Sequence, residues 1–391
     1  MTEDGVALLS PCTIRGVTFP NRVVLSPMMQ FSAKDGYASD WHLVHFGKFA
    51  LGGMGVVMTE VVAVEPRGRI SYGDLGLWSD DQIPGLKRIA DYVRSQGVLS
   101  AIQLGHAGRK GAMQRPWEGN LPLGEADAAR GEPPWTLVGP YGEPIGDGYP
   151  TPQALTIDAI KGIVERFAEA TMRADAAGFD VLEIHGAHGY LIASFLTPLV
   201  NKRTDLYGGS LENRMRLALE VTARVRACWP AHKPLFFRVS SEDGGGPGGW
   251  SVDDSVVLAT ELKAIGVDVI DCSSGGLRSS ATLQGQVRGP GYQVPYAAEI
   301  RRRAGIRTMA VGLVLDGIQA EAVLRAGDAD FIAVGRQAMY DPYWVHHAAQ
   351  QLRPDPDFKN WDEQAGWWLA RRAGALDAVG YTPAGTRKVN P

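Results

Sequence analysis

Eight short runs rich in β-branched and aromatic residues recur along the chain, each followed by a longer segment of helical period, and this alternation constrains the fold more than any other feature. The runs are RVVLSPM near Arg22, MGVVMTE near Met54, VLSAIQL near Val98, FDVLEIH near Phe179, PLFFRVS near Pro234, VDVIDCS near Val267, RTMAVG near Arg307 and ADFIAVG near Ala329. Between them lie amphipathic stretches such as DDQIPGLKRIADYVRSQG and SVDDSVVLATELKAIG. Repeated βα units build a parallel sheet, and eight of them predict an α/β fold of the TIM (β/α)8 barrel type, with a doubly wound open sheet as the alternative. An open sheet of that kind normally carries a dinucleotide fingerprint after its first strand, and none stands there. Gly97, Gly178, Gly266 and Gly327 each follow a helical segment and precede a strand, where glycine ends a helix in a left-handed turn. Such punctuation absorbs part of a glycine excess of 48 in 391 residues.

Two regions exceed a minimal barrel. An insertion at about 109–153, rich in Gly, Pro and Trp, follows the third strand and is expected on the catalytic face as a lid. Residues 353–391, beyond a barrel of 1–352, form a C-terminal extension with Trp361, Trp367, Trp368 and a basic TRKVN end, and are expected to pack on their own or a neighbouring subunit. Trp117 and Trp135 either shape the substrate pocket or anchor the lid, and anchoring is the expectation, since large loops usually need an aromatic to hold them down. The GGGPGG run from Gly244 reads either as a flexible loop over the site or as a tolerated insertion.

Charge and cysteine usage exclude several functions. With 39 basic and 43 acidic residues, a net charge of -4 gives no basic field for nucleic acid or an anionic membrane. Cys12, Cys228 and Cys272 form no C-x-x-C pair, so no disulfide framework, zinc site or iron-sulfur cluster is expected. No run of eighteen apolar residues occurs and the N-terminus lacks a signal-peptide pattern, so a cytoplasmic protein is expected.

In a TIM barrel the active site is built at the C-terminal ends of the strands. The fourth run ends in EIHGAHGYLIASFLTP, which places His185, His188 and Tyr190 together at the barrel mouth. H-x-x-H reads as a structural pair, a metal site or a direct substrate contact. The last is favoured, because Glu183 is the one acid nearby and strand alternation orients it with His185. Neutral imidazoles bonded to an oxygen, with a phenol beside them as proton donor, suit carbonyl activation followed by protonation. The seventh and eighth runs end at Gly312 and at Gly335-Arg336, and those two loops commonly hold a phosphate in this fold. Arg238 ends an apolar run, so it needs either an anion or a structural partner such as Glu60 or Glu183. Gln103 offers a donor and an acceptor to the amide-like edge of a heterocycle.

The segments SPMMQF (Ser26 to Phe31), IQLGHAGRK (Ile102 to Lys110), HGAHGY and, most specifically, FLTPLVNKRTDLYGGSLENR (Phe195 to Arg214) resemble the Old Yellow Enzyme family of FMN-dependent ene-reductases. The resemblance runs in order from about residue 10 to 350, and DWHLVHF and RPWEG suggest the bacterial thermophilic-like and xenobiotic-reductase-like branch. It implies tightly bound FMN, its phosphate at Gly312, Gly335 and Arg336, with Ser26, Pro27, Met28, Met29 and Val61 against the flavin. Gln103 would bond the pyrimidine edge, and Arg238 would sit near N1 and O2. It further implies ping-pong hydride transfer from NADPH or NADH, through FMN N5, to the activated C=C bond of an α,β-unsaturated carbonyl compound. His185 and His188 would hold the substrate oxygen and Tyr190 would supply the proton. Met29 stands where this branch usually has a cysteine, and Phe31 where a substrate-facing tyrosine is common, so Phe31 contributes a purely apolar surface. A dimer or tetramer is expected, with Tyr381 or Arg387 as candidates to reach a neighbouring site. Competing readings are a flavin-dependent desaturase or dehydrogenase, a specialised enoyl or enoyl-CoA reductase, and a non-catalytic flavin-binding module. Retention of His185, His188 and Tyr190 together argues against the last.

Overall fold

The computed structural model describes residues 5–277 and 288–381. Arg387 and the TRKVN end lie outside the described residues. All eight expected runs form strands of one closed parallel barrel. They are β1 (Val23–Leu25), β2 (Val56–Ala63), β3 (Leu99–Gly105), β4 (Val181–Gly186), β5 (Leu235–Ser240), β6 (Val269–Ser273), β7 (Arg307–Val311) and β8 (Phe331–Val334). Neighbours in sequence are neighbours in space, and β8 closes onto β1 with Ala333 opposite Val24. The outer helices are α1 (Asp40–Leu51), α2 (Ile83–Ser95), α3 (Ile157–Ala176), α4 (Leu211–Cys228), α5 (Val252–Ile265), α6 (Val294–Ala304), α7 (Gly317–Ala326) and α8 (Trp344–Leu352). Side-chain caps start several of them: Thr156, Ser210, Ser251 and Asp316 each accept a backbone N–H of the first turn. The four helix-stop glycines all have positive φ, between 74° and 109°. Among the described residues no helix is long and apolar enough to cross a membrane.

Strand alternation layers the barrel interior. The lowest layer is apolar, with Val56 and Met58 of β2, Ala101, Val181, Phe236, Val269, Met309 and Phe331 in one cluster. An N-terminal hairpin, Cys12–Ile14 with Val17–Phe19, plugs the bottom: Phe19 stacks on Phe236 at 6.1 Å and tilts against Phe331 at 5.1 Å. Each such ring contributes roughly 1.5–3 kcal/mol through burial. Two residues further along the strands the inward positions become polar, Gln103, Glu183, Arg238 and Asp271, all buried. Two further still come His185, Ser240 and Ser273, at the mouth.

A register shift in β2 between Met58 and Val61 breaks this pattern once. Val61 takes the position opposite Gln103, while the buried Glu60 faces His42 of α1, with Oε1 3.9 Å from Nε2. Glu60 is therefore not the partner of Arg238. That partner is Asp271, directly opposite on β6, with Nε to Oδ2 at 3.0 Å.

The insertion runs between β3 and α3 and has a small core of Ala112, Leu123 and Leu137. Trp135 anchors it as expected, edge-on to Tyr72 at 5.3 Å and donating Nε1–H to Arg67 O at 3.1 Å. Trp117 does not: it is 66% exposed and touches Phe31 edge-on, ring centres 5.9 Å apart. The GGGPGG run is tied down by Asp243, whose carboxylate accepts Gly245 N at 2.7 Å and Trp250 N at 2.8 Å. In the extension, Trp361 stacks on His346 of α8 at 4.5 Å, and a last helix, α9 (Glu363–Ala378), leaves Trp367 and Trp368 largely exposed. Tyr381 is exposed as well.

Candidate active site

A cavity of about 570 Å3 opens at the C-terminal ends of β1 and β4 to β8. Ten of the residues singled out from sequence line it: Ser26, Pro27, Met28, Met29, His188, Tyr190, Arg238, Gly312, Gly335 and Arg336. Val61 and His185 instead line a much smaller cavity that shares Tyr190 as a wall. Gln103 and Phe31 line neither. Gln103 lies in the polar layer, its Nε2 donating to Glu183 Oε1 at 2.7 Å.

The mouth is held in shape by bonds that sequence reasoning missed. His188 has a left-handed backbone, φ 60°, uncommon for a residue with a side chain. Its N–H donates to Ser240 Oγ at 2.8 Å, and its carbonyl accepts from Lys110 Nζ at 2.8 Å. Lys110 comes from the base of the lid and also donates to Gly276 O at 2.8 Å, so one ammonium joins the loops after β3, β4 and β6. Gly276 is needed there, because a Cβ would meet His188 Cα at 2.5 Å. Lys110 belongs to the IQLGHAGRK segment, but only the closed fold shows its partners.

The rings of His185 and His188 are 5.2 Å apart, and the same distance separates His185 from Tyr190. His188 Nε2 is bonded to Ser273 Oγ at 2.7 Å, which leaves Nδ1 for a ligand. His185 Nδ1 is buried with no partner. Burial, then the nearby charges of Arg238 and Lys110, hold both imidazoles well below their ordinary pKa, so they are neutral at pH 7. Burial and the carboxyl of Asp74 push the Tyr190 phenol up, so it keeps its proton. Burial, then Arg109, brings Lys110 down to about 7.

Among the described residues, the lining of the large cavity includes four cationic side chains, Lys110, Arg238, Arg288 and Arg336, and no acid. Arg238 is ion-paired with Asp271 at 3.0 Å, but its Nε makes no hydrogen bond and the side chain also lines the cavity. Gly312, φ 116°, turns the chain after β7, and a Cβ there would strike the Gln293 amide nitrogen at 2.8 Å. A cationic, glycine-walled cleft with a guanidinium nitrogen left without a hydrogen bond matches a planar heterocycle carrying carbonyl oxygens and a phosphate, which is the chemistry of FMN.

Residues 7–355 match the NADH:flavin oxidoreductase / NADH oxidase family, and the chain belongs to it. It is an FMN-dependent oxidoreductase drawing on a nicotinamide dinucleotide, as the resemblance to Old Yellow Enzymes implied. Among its relatives is an NADPH dehydrogenase of Geobacillus sp. (strain WCH70), 44% identical over 348 residues, covering 88% of this chain and 94% of that protein. Morphinone reductase superposes with a TM-score of 0.72 at 26% identity, over 90% of this chain and 91% of that one. An old yellow enzyme homologue from Zymomonas mobilis shares the fold, with a TM-score of 0.73 at 23% identity over 92% and 98% of the two chains.

Proposed function

We propose that this enzyme is an NADPH-dependent ene-reductase that reduces the activated C=C bond of small α,β-unsaturated carbonyl compounds. The observation that carries this reading is the convergence of two neutral imidazoles and a protonated phenol beside a cationic cleft. Relatives named NADPH dehydrogenases favour NADPH as donor, and the similarity to morphinone reductase agrees with an unsaturated carbonyl substrate.

FMN, when bound, supplies the hydride chemistry, accepting hydride from the nicotinamide and passing it to the alkene β-carbon. The protein's side chains do the rest. Gly312, Gly335 and Arg336 would take the phosphate, with Arg288 adding a cation that sequence reasoning did not name. Ser26 to Met29 and Val61 would face the ring, and Arg238 would stabilise negative charge on it. With Nε2 committed to Glu183, Gln103 has its carbonyl oxygen to offer a flavin N–H. His188 through Nδ1, together with His185, holds the substrate oxygen and polarises the alkene without adding charge, since both rings are neutral. Tyr190 donates its proton to the α-carbon. Met29 replaces a thiol with a thioether, and Phe31 turns its ring to Trp117, so the histidines alone bond the oxygen.

Anaerobic titration tests this. NADPH is expected to bleach the yellow protein, and enones, maleimides or nitroalkenes to restore its colour. A colourless protein that FMN cannot reconstitute, or one bleached by a saturated ketone and not by NAD(P)H, would overturn the reading, the latter in favour of a desaturase.

A further inference from the structure

Tyr190 also lines the small cavity, of about 10 Å3, room for roughly one water molecule. Val61 and Ile70 give it apolar walls, and four polar side chains face it: Asp74, His106, His185 and Tyr190. Asp74 is 1% exposed and sits in the loop after β2. Its carboxyl accepts Ile70 N at 2.5 Å, Ser71 N at 3.2 Å and Ser71 Oγ at 3.0 Å.

Two imidazoles share this cavity with the carboxyl. His106 accepts Gly108 N on Nδ1 at 2.9 Å, so its Nε2 carries the hydrogen bonded to Glu65 at 2.8 Å. His185 is held neutral by its surroundings. Asp74 is different. Facing groups are Arg69 on its own loop, Glu60 on β2, His106 after β3, His185 on β4 and Tyr190 just beyond it. Burial outweighs the donors and Arg69 and raises its carboxyl to about 7. Lys110 approaches Tyr190 as well, with Nζ 5.0 Å from the ring centre.

We infer that Asp74 reloads Tyr190 with a proton through a single water held in this cavity. The inference rests on Tyr190 being the proton donor proposed above. Burial makes a bare tyrosinate unfavourable at this position, so the phenolic proton leaves as another arrives. The Tyr190 O–H bond breaks and a C–H bond forms at the substrate α-carbon. The phenolic oxygen takes a proton from the water, the water takes one from the Asp74 carboxylic acid, and the carboxylate recovers its proton from solvent. No electrons move in this relay; the hydride comes from the flavin reaction. Asp74 acts through Tyr190 and touches neither substrate nor flavin.

The test uses the FMN-loaded oxidised protein, with tyrosine labelled at the 13Cζ carbon and Tyr190 assigned by its loss in Tyr190→Phe. In a Lys110→Met background, which removes the second group titrating near 7 beside this ring, its resonance is expected to shift with pH in a step near 7 that adding Asp74→Asn removes. A step absent from K110M, or one that survives in the K110M/D74N double variant, overturns the relay. Re-oxidation of the NADPH-reduced enzyme by 2-cyclohexenone supplies the second readout. D74N is expected to slow it roughly tenfold, below the 10²–10⁴ typical of a direct general acid, and to turn a curved dependence on the deuterium fraction of the solvent into a linear one. A D74N enzyme with the wild-type rate and curvature sinks the relay alone. A Y190F enzyme with the wild-type rate sinks the donor assignment itself, whatever D74N does.

Discussion

The two cavities that meet at Tyr190 are built from opposite chemistry. The large one is open, walled by glycine backbone and four cations, and suited to an anionic planar cofactor. The small one holds space for about one water and contains a carboxyl raised by burial to about 7. The phenol between them faces the cationic cleft on one side and the carboxyl of Asp74 on the other. The difference shows how a single barrel mouth separates binding from proton supply: strand ends and the loops after β5 to β8 provide the first, and the loop after β2 the second.

The contrast breaks most severely at Arg238. Replacing it by Met leaves Asp271 and Glu183 in the barrel without their cation, and losing one member of a buried pair costs about 3–5 kcal/mol. R238M is expected to purify without flavin and to melt well below the wild type, read from the visible-to-ultraviolet absorbance ratio and a thermal scan. Arg336→Gln removes one cation from the phosphate end, where a bond to a charged group is worth about 1.5–3 kcal/mol. A rise in the FMN dissociation constant of roughly 10- to 100-fold is expected, with no change in the melting temperature of the flavin-free protein.

Lys110→Met strips the bond that joins three loops and leaves the carbonyls of His188 and Gly276 unpaired, at about 1–3 kcal/mol. Its pH signature has a definite sign. In the folded protein Lys110 titrates at about 7 against an ordinary 10.5, so between those values the unfolded chain binds more protons and this residue's contribution to stability rises with pH. The melting temperature of the wild type is therefore expected to gain on that of K110M as pH is raised from 7 towards 10; a constant difference would show that the ammonium is not buried as described. The smallest effect belongs to Trp117→Ala. Because Trp117 is 66% exposed and leans only on Phe31, stability is expected to change by less than about 0.5 kcal/mol, and any kinetic change to appear in KM for bulky alkenes.

Much of this was legible in the chain itself. Period-two alternation ending in polar residues located His185, Arg238 and the layer beneath them, since a parallel barrel turns every second side chain inward. Gly312 and Gly335-Arg336 were readable as strand-end turns with a cation. What escaped depended on register and closure. The shift in β2 that turns Glu60 towards His42 has no local signature, and the partner of Arg238 is Asp271, not Glu60 or Glu183 as the sequence suggested. Lys110 and Asp74 stand in loops, and nothing near them in sequence shows that folding buries each beside Tyr190. The most family-specific stretch, NKRTDLYGGSLENR, is scaffolding: Asn201 Nδ2 donates to Phe195 O and Tyr207 O, both at 2.7 Å, and Arg203 donates to Pro140 O and Leu155 O, tying the lid to the loop after β4.

The central claim is that Tyr190 protonates the substrate carbon while the cationic cleft handles the flavin independently. Stopped-flow comparison of the wild type and Tyr190→Phe separates the two half-reactions in one experiment. Bleaching by NADPH is expected at the same rate in both, and re-oxidation by 2-cyclohexenone is expected to slow by about 10²–10⁴ in Y190F. Equal re-oxidation rates in the two proteins would contradict the account.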